Sequence, residues 1–217
     1  MYQWATNVEA QSRLYLELVS DIKKCTKCPL HMSRTQAVPG DGPINTEIVL
    51  VGEAPGKSED EQGKPFVGAA GKLLDKLLEI AGLERSKVYI TNVVKCRPPE
   101  NREPEDNEIK ACNNYLRREL SLIKPKLIVA LGRIAGKTLY EMCGIRWVNI
   151  NVARGRVVDC RTNNLEFKLI VTYHPAAALY NPNLRSELER DFREHIAESI
   201  RRHEKAKRKL TLEDFRL

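Results

Sequence analysis

Four apolar segments of strand length constrain this chain more than any other feature of its sequence. They are Glu47–Gly52 (EIVLVG), Lys87–Val94 (KVYITNVV), Lys126–Gly132 (KLIVALG) and Lys168–Tyr173 (KLIVTY). Their near-continuous Val, Ile and Leu content marks strands buried on both faces, unlike the alternating pattern of a strand with one wet face. Helical patterns separate them. Over Lys72–Ala81, the residues Leu73, Leu74, Leu77, Leu78 and Ala81 share one face, and Gly82 stands at the C-terminal stop. A second helix is expected from about Glu105, after Pro104, to about Ile123, before Pro125. Strands alternating with helices predict an α/β fold with a central, mostly parallel four-stranded sheet flanked by helices. At 217 residues there is enough chain for one core, placed here in residues 1–200, with a tail over 201–217. A third long helix is expected from about Arg185 to Lys209, packing through Leu188, Phe192, Ile196 and Ile200.

In parallel sheets, ligands bind beyond the carboxyl ends of the strands. There the first segment runs into Gly52-Glu53-Ala54-Pro55-Gly56, the second into Thr91-Asn92 and Lys95-Cys96-Arg97-Pro98-Pro99, and the fourth into His174-Pro175-Ala176. One carboxylate, one amide and one imidazole are thus expected to converge on a single rim.

Charge is unevenly spread. The formal net charge is +7, yet residues 201–209 (RRHEKAKRK) alone carry six Lys or Arg against one Glu. A basic tail of this kind suits contact with nucleic-acid phosphates, and it equally suits a solvated helix end. The charged fraction of 30% fits a heat-adapted surface rich in ion pairs. No apolar run is long enough to cross a bilayer and the N-terminus lacks a signal-peptide pattern, so a cytoplasmic protein without a membrane partner is expected.

Of the six cysteines, Cys25 and Cys28 form a C-x₂-C pair, while Cys96 and Cys112 bracket a loop and helix. In such a protein a close pair reads as metal-binding before it reads as a disulfide. Spacing alone leaves zinc, an iron–sulfur cluster and two unrelated structural pairs open. Cys143 and Cys160 read as small buried hydrophobes. Two stretches, Gly52–Ser58 and Gly132–Thr138, resemble phosphate-binding loops. Each lacks the first glycine of G-x₄-G-K-[ST], since Val51 and Leu131 stand there, and Pro55 removes an N–H. An NTPase is therefore the runner-up, and a nucleic-acid-binding domain without catalysis a third reading.

Val51-Gly52-Glu53-Ala54-Pro55-Gly56, followed by Glu59, Gly63, Pro65-Phe66-Val67-Gly68 and Gly71, resembles the first motif of the family-4 uracil-DNA glycosylases, the thermostable iron–sulfur branch of that superfamily. Thr91 to Pro99, with Asn101-Arg102 and Pro104, and His174-Pro175-Ala176 match as well, so the resemblance spans about residues 10 to 195. It implies a monofunctional enzyme of base excision repair that flips uracil out of DNA, hydrolyses its N-glycosidic bond and leaves an abasic site. It also implies a [4Fe–4S] cluster on Cys25, Cys28, Cys96 and Cys112. Phe66 is then the ring on which uracil stacks, and Asn92 the amide that donates to O4 and accepts from N3–H, a pattern cytosine cannot match. His174 becomes the donor to O2, and Glu53 the group that orients water or stabilises cationic character at the sugar. Gly52, Ala54 and Gly56 line the base site, with Ala54 and Gly56 standing where better-known uracil glycosylases carry Asp and Tyr. Ala176, Leu179 and Arg185 are expected on the DNA, Leu179 as an apolar wedge into the vacated stack.

The tail ends Lys209-Leu-Thr-Leu212-Glu-Asp-Phe215-Arg216. It resembles a degenerate sliding-clamp-binding peptide in which Leu212 and Phe215 fill an apolar pocket. Uracil-containing DNA and a clamp are thus the expected partners, and a monomer the expected state.

Overall fold

The computed structural model describes residues 2–162 and 164–213, with side chains over 9–162 and 164–205. Among the described residues, five strands form one sheet: β1 (Ile48–Gly52), β2 (Tyr89–Asn92), β3 (Leu127–Leu131), β4 (Val157–Arg161) and β5 (Glu166–Thr172), in the order β2-β1-β3-β5-β4. The β1–β2, β1–β3 and β3–β5 pairs are parallel, while β4 joins β5 antiparallel at the edge. The expected sheet of four strands is corrected to five. Val157–Arg161 carries Asp159 and Arg161 and buries only Cys160 fully. A charged edge strand of this kind lacks the apolar run by which the other four are read, and its charges discourage further pairing.

Alternate strand residues enter opposite layers. Val49 and Val51 of β1, Ile128 and Ala130 of β3, and Leu169 and Val171 of β5 pack with Leu18, Ile22, Leu116 and Leu120. Leu50, Val129 and Ile170 face the other way, against Leu74, Leu77, Leu78, Leu188 and Phe192. With both faces covered, the central strands β1, β3 and β5 need apolar residues over most of their length, which is why they read as runs.

Helix Ala69–Ile80 begins three residues before the expected start at Lys72 and ends one residue before Ala81, while Asp106–Ile123 falls on the expected span. The second opens on a capping box between Glu105 and Glu108. The last helical rod runs from Pro182–Arg190 through a π-helical turn, Asp191–Ile196, into Ala197–Glu213. That turn explains the four-residue spacing of Leu188, Phe192, Ile196 and Ile200, all buried. In a pure α-helix this spacing would drift around the axis, and the wider π turn returns it to one face. Cys143 and Cys160, read above as separate apolar residues, are paired as a disulfide with Cα atoms 5.3 Å apart, joining the end of Arg133–Met142 to β4. Among the described residues, no helix is long and apolar enough to cross a membrane.

Candidate functional site

The register of β1 against β2 sets Gly52 beside Asn92 at the carboxyl ends of the two strands. A side chain at Gly52 would meet Asn92 Oδ1 at 2.4 Å and Phe66 Cε2 at 2.7 Å, so the missing Cβ lets the amide and the ring crowd one point. Glu53, Ala54, Gly56, Phe66, Asn92, His174 and Ala176 all line one cavity of about 520 Å³ at this rim. Asn92 is 2% exposed, and among the described residues its Oδ1 has no hydrogen-bond partner. A buried acceptor without a donor costs about 1–3 kcal/mol, so its retention in a cavity wall marks a place for a ligand N–H.

Phe66 holds φ at 52°, in the left-handed region that bulky residues avoid. Glu59 fixes the loop around it: its Oε1 accepts from Val67 N at 2.9 Å and Gly68 N at 2.8 Å, and its Oε2 from Gly56 N at 3.2 Å. The Phe66 and His174 rings lie 5.6 Å apart, inclined by 32°.

His174 caps the short Pro175–Ala178 helix, its Nδ1 accepting from Ala176 N at 3.2 Å. An accepting Nδ1 places the proton of the neutral ring on Nε2. The side chain is half-buried and lines the cavity. Burial holds its pKa down at about 4, with the charge of Glu59 opposing only in part. The imidazole is therefore a neutral donor over the whole physiological range. Gly132, at φ 94°, supports this placement, because a Cβ there would stand 3.0 Å from His174 Cβ. Glu53 shifts the other way: burial raises its pKa to about 7, nearby Glu103 adds to the rise and Arg133 opposes it. Glu103 and Arg133 form an ion pair on the same cavity wall.

Three residues beyond Asn92 lies a second buried polar group. Lys95 Nζ donates to Asn92 O at 2.7 Å, Thr91 Oγ1 at 2.6 Å and Glu119 Oε2 at 2.7 Å. Glu119 Oε1 in turn accepts from Gly40 N and Tyr89 Oη, both at 3.1 Å. This network holds the backbone between the amide and the cysteines. Cys25, Cys28, Cys96 and Cys112 face one small cavity with Arg34 and Tyr115. Arg34 Nη1 donates to Cys96 Sγ at 3.0 Å, and Lys95 N to Cys112 Sγ at 3.2 Å. Burial pushes the thiols of Cys28 and Cys96 up, and that of Cys112 to about 12. Among the described residues no three of these ligand types stand in finished metal geometry. Even so, four converging sulfurs with N–H donors aimed at two of them fit a cluster held by thiolates.

Leu179 is 36% exposed beyond the His174 loop. Arg185 pairs with Glu189 at 3.1 Å and lines a shallow groove with Leu179, Lys72 and Lys76. Neither phosphate-loop look-alike forms a cradle: the carboxylate of Glu59 occupies the N–H of Gly56, while Lys57 pairs with Glu61 and Lys137 with Asp106. Phe215 and the side chain of Leu212 lie outside the described residues. Sequence reasoning missed Glu103, Arg133 and Tyr173 in the cavity wall. Arg133 and Tyr173 follow β3 and β5, so the strand-end rule applied to every strand would have found them.

The family model of the uracil DNA glycosylase superfamily matches residues 39–199. A type-4 uracil-DNA glycosylase of Sulfurisphaera tokodaii is 52% identical over 178 residues, spanning 82% of this chain and 81% of that protein. One from Archaeoglobus fulgidus is 48% identical over 177 residues, spanning 82% and 89%. Another, from Thermotoga maritima, is 47% identical over 167 residues, spanning 76% and 84%.

Proposed function

The chain belongs to the type-4 branch of the uracil-DNA glycosylase superfamily, and from that premise we infer that it excises uracil from DNA, hydrolysing the N-glycosidic bond and leaving an abasic site. The observation that carries the reading is the buried, unpartnered Oδ1 of Asn92 beside the Phe66 ring. A flipped uracil stacked on Phe66 supplies the missing donor through N3–H, and Asn92 Nδ2 donates to O4. Cytosine presents an acceptor at N3 and a donor at C4, so it meets both groups of the amide with the wrong polarity.

Nε2–H of His174 donates to uracil O2, where negative charge grows as the bond breaks. The ring is neutral and its tautomer is fixed before the base arrives, so no proton needs to be taken up first. Glu53, when ionised, orients the attacking water or stabilises positive character at the sugar. Glu53 also lines the cavity wall, and in this reading its side chain fills the space that the C5 methyl of thymine would need. Leu179 fills the gap left in the stack, and Ala176 and Arg185 meet the backbone of the damaged strand.

Cys25, Cys28, Cys96 and Cys112 would hold a [4Fe–4S] cluster, consistent with the type-4 relatives. When bound it supplies a cross-link between the N-terminal region and the Cys96–Cys112 segment, since hydrolysis of the glycosidic bond moves no electrons. Cys112→Ala should lower stability and activity together, and full stability with lost catalysis would contradict this role. We further read the protein as a monomer acting inside the cell with its DNA. The tail would seat Leu212 and Phe215 on a sliding clamp, an idea excluded if a truncation ending at Lys209 still binds the clamp.

The direct test is uracil release from a labelled oligonucleotide, followed by alkaline cleavage at abasic sites, with a thymine substrate and Asn92→Ala alongside. Cleavage at uracil alone, weakened in the variant, is expected. No cleavage by cluster-loaded protein would leave a DNA-binding domain without this activity.

A further inference from the structure

Phe66 sits in a backbone conformation that its own sequence does not favour, and the structure shows what keeps it there. Gly71 lets the Ala69–Ile80 helix close beneath it, since a Cβ at that position would stand 1.9 Å from Phe66 O. Glu59 grips the two following N–H groups. From the opposite side, Arg85 Nη1 donates to Phe66 O at 3.0 Å and Nη2 to Pro65 O at 2.7 Å. Asp75 Oδ1 accepts from the same Nη1 at 3.0 Å and fixes the guanidinium. Arg85 begins the short turn that leads into β2 and does not line the cavity.

A planar fork reaching two successive carbonyls specifies the orientation of that peptide, which a single ammonium cannot do. A residue held in a sparsely populated backbone region keeps that shape only while its surroundings over-determine it. Freed of Arg85, the Pro65–Phe66 segment can relax toward ordinary negative φ, and the ring leaves the plane facing Asn92 and His174.

We propose that Arg85 is a positioning residue for the glycosylase reaction, holding Phe66 as the platform for the flipped base and thereby setting uracil affinity while touching neither base nor DNA. This rests on the reading of Phe66 as the stacking ring. The effect of Arg85 passes through Phe66 alone, which separates it from a residue that merely stabilises the fold.

The experiment is a double-mutant cycle of Arg85→Ala and Phe66→Ala in full-length, cluster-loaded protein. It measures inhibition by free uracil, kcat/KM for uracil release, and affinity for a duplex carrying a tetrahydrofuran abasic site. In Arg85→Ala the inhibition constant for uracil should rise about tenfold, a large part of one stacking contact, with abasic-duplex affinity unchanged. In the Phe66→Ala background the same change should add nothing. Asp75→Asn, which leaves the guanidinium present but unsupported, should show a smaller loss in the same direction, and it carries the test if Arg85→Ala does not fold. Unchanged uracil inhibition in both Arg85→Ala and Asp75→Asn, or an equal loss with and without Phe66, would overturn the proposal. If Phe66→Ala itself left uracil inhibition unchanged while wild type released uracil, the stacking premise would fall instead, and the proposal with it.

Discussion

Asn92 and Lys95 are three residues apart, 2% and 1% exposed, and in opposite states. The Lys95 ammonium has three acceptors within 2.7 Å, one of them a carboxylate that is 0% exposed. The Asn92 oxygen has no donor among the described residues. Burial therefore means two different things within one turn of chain. At Lys95 a satisfied polar network fixes the backbone, including the carbonyl of Asn92 itself; at Asn92 a buried acceptor stands unfilled, at a standing cost in stability.

This contrast can be broken most forcefully at Glu119. Glu119→Ala leaves a buried ammonium without its counter-charge and should cost about 3–5 kcal/mol in denaturant unfolding. The double variant Lys95→Met/Glu119→Leu should recover much of that loss, because it removes both charges. A small effect of Glu119→Ala alone would show that the network is not what holds this region. Asn92→Leu should do the reverse: stability should hold or rise, while kcat/KM for uracil release falls about 10²-fold, the equivalent of two hydrogen bonds of about 1–1.5 kcal/mol each. Stability lost in proportion to activity would mean that the amide is structural. Phe66→Ala should weaken inhibition by free uracil by about 1–3 kcal/mol, with little effect on abasic-site binding.

The smallest effect is electrostatic. Glu53, raised from 4.5 to about 7, binds protons in the folded protein that the unfolded chain releases, so its contribution to stability falls as pH rises from about 4.5 to 7. His174, lowered from 6.5 to about 4, acts oppositely: its contribution is present above about 6.5 and is lost as pH falls toward 4. The two slopes oppose each other in wild type. Glu53→Gln should therefore be more stable than wild type at pH 8, with the gap closing by pH 5, as read from Tm at the two values. Wild type should show a rise in kcat/KM as Glu53 ionises near pH 7, and the same variant should flatten it. If that rise instead followed His174, as His174→Gln would reveal, the assignment of the ionised group would be wrong.

Much of this is legible in the sequence. Four strand segments, both long central helices and the strand-end positions of Glu53, Asn92 and His174 follow from apolar patterning, because a sheet covered on two sides needs unbroken apolar runs. Phe66 is legible only through the motif resemblance, whereas the cysteine spacing by itself points to a metal site and leaves zinc, an iron–sulfur cluster and two structural pairs open. The edge strand β4 was not legible, since charged Asp159 and Arg161 carry no such signal. Nor was the Cys143–Cys160 pair, because proximity across a separation of 17 residues depends on how β4 turns back beside β5.

What the sequence determined by itself was the layering of the fold and the set of groups at its rim, since both rest on residue type and local period. Tertiary structure alone decided their states. The unfilled acceptor of Asn92, the displaced pKa values of Glu53 and His174, and the constrained backbone of Phe66 each arise from atoms contributed by other parts of the chain. The physical reason is that desolvation, hydrogen-bond satisfaction and backbone strain are properties of a neighbourhood. For this pocket, the neighbourhood is assembled from strand ends and loops that the sequence places far apart.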